Sequence, residues 1–273
     1  MRKLSVFITT YNNAATLGAC LESIRWADEI CVLDSFSTDE TVAIAKDFGC
    51  RIQQHEFLGY GRQKELAMQM TQHDHVLLLD ADEMLSLDMQ QTVQDLRADD
   101  FPADGYEFPR VEQLFWRMPH EGTRKNYYLR LFAKDKAHIS HMPVHAAPGV
   151  TGYVQRIEAP FFHFGEVDIH TKVAKINGYS TGLVKDKLEQ GKGARPWVMV
   201  FYPPWYFLRS YLLKRGFLNG WPGFISSCTA AFYVFLKYAK LFEQQQFVKH
   251  GNSLLPPGAP QLGEPASRHQ GPV

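Results

Sequence analysis

Apolar residues in the first hundred positions come in short runs that alternate with amphipathic stretches, which predicts alternating strands and helices. Leu4 to Ile8 predicts a strand, Thr9 to Asn13 a polar loop, and Ala14 to Arg25 a helix with Leu17, Cys20, Leu21 and Ile24 on one face. Ile30 to Leu33 predicts a second strand, which runs into Asp34-Ser35-Phe36. Ser37-Thr38-Asp39-Glu40 has capping-box spacing, with the Ser37 hydroxyl available to an orphan amide and Glu40 reaching back. Val42 to Phe48 continues that helix, and Gly49 ends it. Arg51 to Gln54 reads as a weaker strand, Gly61 to Met70 as a helix, and Val76 to Leu79 as a short aliphatic strand. This alternation predicts an α/β fold with a mostly parallel, twisted sheet. Right-handed crossovers would bring three polar loops, Thr10 to Asn12, Asp34 to Ser37 and Asp80 to Glu83, to one edge of it.

From Gly105 the pattern changes. Tyr106 to Arg110, Tyr127 to Phe132, Tyr153 to Ile157 and Phe161 to Phe164 predict strands that extend the sheet or cover its active edge. Thr171 to Leu188 predicts a lysine-bearing helix, followed by an aromatic-rich region from Trp197 to Phe247. Gly216 to Leu236 carries no charge and approaches the length of about 20 residues that spans a bilayer. Asn219, Gly220, Pro222, Ser226, Ser227 and Thr229 interrupt it, and Lys214, Arg215, Lys237 and Lys240 flank it. Trp197, Trp205, Tyr206, Tyr211 and Trp221 are aromatics of the kind enriched at headgroup depth. The pattern favours helices lying in a membrane interface. A true span, or a surface facing the core or an oligomer partner, is the alternative. Pro and Gly dominate from Gly251 onward and predict a disordered tail. The chain thus divides into 1–104, a strand-helix half; 105–170, a strand-rich continuation of it; 171–250, a helical membrane-associating region; and 251–273, the tail.

Charge and cysteine content narrow the class. Among 273 residues, 29 are basic and 29 acidic, so no basic excess calls for nucleic acid as a partner. Cys20, Cys31, Cys50 and Cys228 show neither paired nor metal-ligand spacing, which fits unpaired thiols in a reducing cytoplasm. The apolar run after Arg2-Lys3 stops after five positions, too short for a secretory segment, and reads as a first strand.

The chemistry gathers at Val76-Leu77-Leu78-Leu79-Asp80-Ala81-Asp82-Glu83. In open α/β sheets ligands bind at the carboxyl ends of strands, where this run delivers two aspartates separated by one residue. Asp-x-Asp there suits a hard divalent cation shared with substrate phosphates, although acidic pairs after strands also cap helices and line solvated turns. An ion held by Asp82 and Asp80 could neutralise a departing diphosphate, so the reaction class is group transfer from a nucleotide diphosphate.

Three segments in this order, Val6-Phe7-Ile8-Thr9-Thr10-Tyr11-Asn12-Asn13, Leu33 to Thr41 and Leu79 to Glu83, resemble the family 2 glycosyltransferases of GT-A type. Arg130-Leu131-Phe132, Pro143-Val144-His145, Phe162-His163, Lys175 to Ser180 and Lys214 to Phe224 extend the likeness, to bacterial lipopolysaccharide inner-core β-1,4-glucosyltransferases. The resemblance implies a UDP-glucose donor, a heptose of lipid A-core as acceptor, and inversion at the anomeric carbon. It also implies Mg²⁺ or Mn²⁺ and a peripheral place on the inner face of the bacterial cytoplasmic membrane. By motif position, Thr10, Tyr11 and Asn12 would border the nucleotide pocket, and Asp34 would meet uracil or ribose. Asp80 would lie near ribose and metal, Asp82 would be the direct metal ligand, and Arg130 would be a further substrate contact. Lys64 is a candidate donor contact, although a lysine on a helix is usually solvated.

One departure concerns the base that must take the acceptor's proton. Many relatives place Glu after the His of the Val-His segment, where this chain reads Val144-His145-Ala146-Ala147. His145, Glu112, Glu121 and Glu166 are the candidates, and the sequence assigns the role to none of them. Zinc at His138, His141 and His145 is disfavoured by Pro143 and the lack of a nearby cysteine. Gly59-Tyr60-Gly61 lacks the third glycine of a dinucleotide loop. A different acceptor, such as a capsule or exopolysaccharide sugar or a protein side chain, stays open. So does a non-catalytic nucleotide-sugar-binding role.

Overall fold

The computed structural model describes residues 2–140, 147–165, 167–189, 191 and 193–250. In chain order its first elements are β1 (Leu4–Thr10), α1 (Ala14–Glu22), β2 (Glu29–Asp34), α2 (Thr41–Asp47), β3 (Arg51–Gln54) and α3 (Tyr60–Gln69). Then come β4 (His75–Asp80), β5 (Glu83–Leu85), α4 (Leu87–Ala98), β6 (Gly105–Glu112) and β7 (Asn126–Ala133). Next are β8 (Ala137–Ile139), β9 (Pro148–Val150), β10 (Val154–Arg156) and β11 (Phe161–His163). Three helices follow: α5 (Ile169–Glu189), α6 (Pro196–Leu208) and α7 (Gly220–His250). The chain forms two compact units, Met1–Met118 with Lys125–Glu166, and Pro119–Arg124 with Val167–Val273.

The first unit is built on a sheet ordered β3-β2-β1-β4-β7-β6-β11-β5, with β10 paired to β6, while β8 and β9 form a separate pair. β3, β2, β1 and β4 run parallel; β7 is antiparallel to β4 and β6; β11 returns parallel to β6. The aliphatic runs of β1 and β4 are buried on both faces, which is why they read as continuous rather than alternating. Leu4, Val6, Ile8, Leu77 and Leu79 face one core with Leu17 and Leu21 of α1 and Met89 and Val93 of α4. Phe7, Val76 and Leu78 face another with Ala67 and Met68 of α3. Burying each such large side chain stabilises the fold by about 1.5–3 kcal/mol. A one-residue slip would exchange the two faces, so the register is firmly specified. Thr10 stands opposite Asp34 and Thr9 opposite Asp80, so three strands deliver their polar ends to one edge, as the alternation predicts.

One local expectation fails, and one segment carries no expectation. The capping box at Ser37 does not form: α2 starts at Thr41, whose amide donates to Asp39 at 3.0 Å. Ser37 is captured instead by Asp34, which accepts from both its amide and its hydroxyl. The segment of β5 and α4 was not legible, because α4 buries only the thin stripe Met89, Val93 and Arg97 and is otherwise polar. Its cap, Ser86 accepting from Met89 N at 3.1 Å, is conventional.

In the second unit α5 and α6 both pack on α7. Lys240 of α7 donates to Asn177 O, Asn177 Oδ1 and Ser180 Oγ at 2.8 Å and to Thr181 Oγ1 at 2.7 Å, tying α7 to α5. Buried Asn219 accepts from His120 N at 2.6 Å and donates to Thr123 Oγ1 at 2.9 Å. A Cβ at Gly223 would fall 2.0 Å from Gly216 O, so this turn closes only with glycine. The segments Lys175 to Ser180 and Lys214 to Phe224 are therefore structural locks. Among the described residues no helix is long and apolar enough to cross a membrane.

Candidate active site

The site grows from the end of β4. Asp80 is its last residue; the chain then turns through Ala81 and Asp82 into β5, whose first residue is Glu83. Glu83 is fully buried and shapes this turn by accepting Asp80 N at 3.0 Å. Arg130, buried on β7, donates to Glu83 Oε1 at 2.5 Å and lies 3.7 Å from Asp80. Lys64, buried on α3, reaches Asp80 Oδ1 at 2.6 Å, so this lysine is not a solvated one. Arg110 stacks on the Tyr128 ring at 4.2 Å, pairs with Glu112 and lies 3.9 Å from Glu83.

These charges set the protonation of the edge. Burial alone would raise the Asp80 carboxyl, but the Lys64 and Arg130 cations outweigh it and hold Asp80 well below the usual carboxylate range. Glu83 moves upward, chiefly through burial, with Asp80 adding to the shift and Arg130 opposing it. Burial would lower His163, yet its hydrogen bond to Asp82 and the charge of that carboxylate raise it overall.

Asp82 meets His163, the last residue of β11, with Nε2 at 3.2 Å from Oδ2. Backbone bonds lock the pair in place: Phe164 N donates to Asp82 O and Gln113 N to His163 O, both at 2.9 Å. His163 Nδ1 is buried without a hydrogen-bond partner among the described residues. Gly165 keeps space open here. A Cβ on it would lie 2.6 Å from His163 Cε1 and 3.2 Å from Asp82 Oδ2. His163 sits opposite Glu112 in the β11–β6 register, which brings that candidate base to this edge.

The other two loops form a hydrogen-bonded rim. Thr10 is buried and donates to Asn13 Oδ1 at 3.1 Å; Tyr11 N donates to the same oxygen at 3.2 Å. Asn12 N donates to Ser37 Oγ and Asn12 Oδ1 accepts from Thr38 N, both at 2.8 Å, stitching the first loop to the second. Asp34 is fully buried and accepts from Ser37 and, at 2.8 Å, from Gln54 Nε2, so in this arrangement it anchors the rim. Asn12 and the exposed Phe36 have left-handed φ of 51° and 61°, a conformation that a bulky residue such as Phe adopts only under local constraint.

The edge therefore brings together Asp80, Asp82, Lys64, Arg130 and Glu112, with Thr10, Tyr11, Asn12 and Asp34 on its rim. Glu121 belongs to the second unit. His145 and Glu166 lie outside the described residues. Sequence reasoning assigned no role to Glu83, Arg110, His163 or Gly165. For His163 a signal existed: Phe162-His163 closes a short apolar run, as Asp80 does.

Comparisons with known proteins bear on the family of the chain. Residues 5–155 match glycosyl transferase family 2. An "uncharacterized glycosyltransferase" of Rickettsia felis is 30% identical over 257 residues, covering 89% of this chain and 90% of that protein. The lipopolysaccharide core biosynthesis glycosyltransferase LpsC of Rhizobium meliloti is 30% identical over 249 residues, 88% of this chain and 92% of that protein. Among solved structures, S. aureus TarS 1-349 aligns with 91% of this chain, and the chain with 93% of it, at 13% identity and a TM-score of 0.45. That likeness is too loose to carry chemistry across.

Proposed function

The chain belongs to glycosyl transferase family 2, and from that premise we propose that it moves glucose from UDP-glucose onto an inner-core heptose of lipopolysaccharide, with inversion. The observation that carries the reading is the Asp82–His163 pair beside the Asp80–Lys64–Arg130 cluster, on the edge where three strands end. The lipopolysaccharide-core name of the Rhizobium relative, similar along nearly its whole length, supports the acceptor class.

The residues present fit a divalent ion, Mg²⁺ or Mn²⁺. Asp82 Oδ2 and His163 Nε2 stand 3.2 Å apart, the spacing of about 3 Å expected of neighbouring ligands on a small six-coordinate ion. Gly165 leaves room beside both. Phosphate and water would take the remaining positions on such an ion. Asp80, already neutralised by two cations, is the less available carboxylate. When bound, the ion supplies positive charge against the departing diphosphate. Lys64 and Arg130 add fixed positive charge at the same edge without reorganising during reaction. Asn12, Tyr11 and the Ser37 loop border the nucleotide. Glu112, oriented by Arg110, is the candidate base that this edge supports.

On this reading the protein works at the inner face of the bacterial cytoplasmic membrane, where its lipid-linked acceptor resides. Purified protein with UDP-glucose, Mn²⁺ and heptose-terminated lipid A-core tests it by mass spectrometry. One added hexose with one UDP released is expected. Donor binding with no UDP released over long incubation would overturn it, and so would an intact core in a strain lacking the chain.

A further inference from the structure

In α6 the sequence runs Pro196 to Leu208 without a charge, and both faces of the helix are apolar. One face is used internally: Pro203 is buried, Tyr202 meets Tyr238 with centroids 5.9 Å apart, and Phe207 meets Phe224 at 5.7 Å. The opposite face is left outside. Trp197, Phe201, Trp205, Leu208 and Leu212 recur every three or four residues and are 56, 69, 52, 46 and 51% exposed. A helix apolar all round is normally enclosed, and an apolar stripe of this length on a free surface marks an interaction site.

Charge identifies the partner. From residue 190 to 242 the chain holds seven Lys or Arg and no Asp or Glu, although the whole protein is neutral. Arg209 and Arg215 are exposed around the end of the stripe. A second copy of the chain would bring the same sign of charge against itself, whereas an anionic lipid surface complements both the cations and the apolar stripe. The helix also suits headgroup depth rather than hydrocarbon. Even with the π-helical turn Arg209–Leu213, which continues it and carries Leu212 and the charge of Arg209, it is not long and apolar enough to cross. Pro203 and Pro204 deprive the carbonyls of Met199 and Val200 of helical donors, and those carbonyls need water.

We infer that α6 and the turn after it form an interfacial blade that lies in the headgroup layer of an anionic bilayer, with the stripe inward and Arg209 and Arg215 on lipid phosphates. The inference deepens the proposed function by naming its docking surface, and it draws its purpose from that reading.

Co-sedimentation of the full chain with phosphatidylcholine vesicles, with and without phosphatidylglycerol, tests it. Binding to the anionic vesicles at least about tenfold tighter than to the neutral ones is expected. The Phe201→Ser, Trp205→Ser double variant should weaken binding about tenfold on the anionic vesicles. The Arg209→Gln, Arg215→Gln double variant should lose about fivefold per cation on anionic vesicles and nothing on neutral ones. Both variants should keep wild-type circular dichroism and full transfer to a delipidated, soluble acceptor. Equal binding to both vesicle types, binding unchanged in both variants, or a solution dimer that the Phe201→Ser, Trp205→Ser pair dissociates would each overturn the inference. Vesicle binding as expected with no sugar transfer by the wild type would sink the function and leave the surface standing. Transfer without vesicle binding would do the reverse.

Discussion

The two units treat charge and apolar surface in opposite ways. In the first, aliphatic side chains fill two cores, and charged groups are drawn into the edge of the sheet with a partner each: Asp80 with Lys64, Glu83 with Arg130, Asp82 with His163. In the second, half-buried Lys240 is held by four oxygens and Lys172 is buried, while aromatic side chains of α6 stay outside. Both arrangements run against the usual cost of desolvating charge or wetting apolar surface. Each departure falls where a ligand is proposed: a diphosphate with its ion at the sheet edge, and a lipid surface at the blade.

The contrast can be broken most strongly at Asp82. Asp82→Asn should lower sugar transfer at least about a thousandfold, the loss of several kcal/mol of transition-state stabilisation. Melting should stay close to wild type, because Asp82 is partly exposed and Asn keeps the size of its side chain. Excess EDTA should match the variant, and transfer persisting under either condition would remove the ion from the scheme.

Next in size is the buried ion pair. Arg130→Met should cost about 3–5 kcal/mol in urea denaturation, because it strands the buried Glu83 carboxylate. Adding Glu83→Gln should recover part of that cost. Full additivity of the two losses would mean that the pair is not the source.

A smaller effect is expected at Gly165. Its replacement by Ala pushes a methyl against His163, so the Mn²⁺ concentration for half-maximal transfer should rise about tenfold, with about 1–3 kcal/mol of overpacking. An unchanged metal requirement would exclude the pocket beside Gly165 as the ion's place.

The smallest effect lies at the other end of β4. Burial, aided by the charge of Arg2, lowers the pKa of His75, which stacks on Phe101 with centroids 4.2 Å apart. The unfolded chain then binds that proton more tightly than the native state. Stability is complete above the unfolded value of about 6.5 and declines as pH falls through it toward the lowered native value. His75→Gln should flatten that slope in melts between pH 5 and about 7.5. The charges at the Asp80 end should remain undisturbed.

Much of the first unit was legible. β1, β2 and β4 are aliphatic runs that can be satisfied only by burial on two sides, and β3 was read with its bounds intact. Asp80 and Asp82 stand out because they end such a run. Other parts were hidden for physical reasons. Lys64 looks like any helical lysine until β4 brings Asp80 within 2.6 Å of it. The Ser37 capping box lost to a buried carboxylate that local spacing does not reveal. His163 lies some eighty residues after Asp82, and its strand reaches the site by slipping between β6 and β5.

By itself, the amino-acid order settled which segments become strands and helices in the leading half, the shared edge of their polar loops, and the family to which they point. Those properties are local: period, run length and the residue that closes each run decide them. Only the tertiary structure decided which charges neutralise Asp80, that Asp82 meets an imidazole across a glycine gap, and that α6 turns an apolar stripe outward. Those outcomes depend on distances between segments far apart in the chain, which no spacing along it encodes.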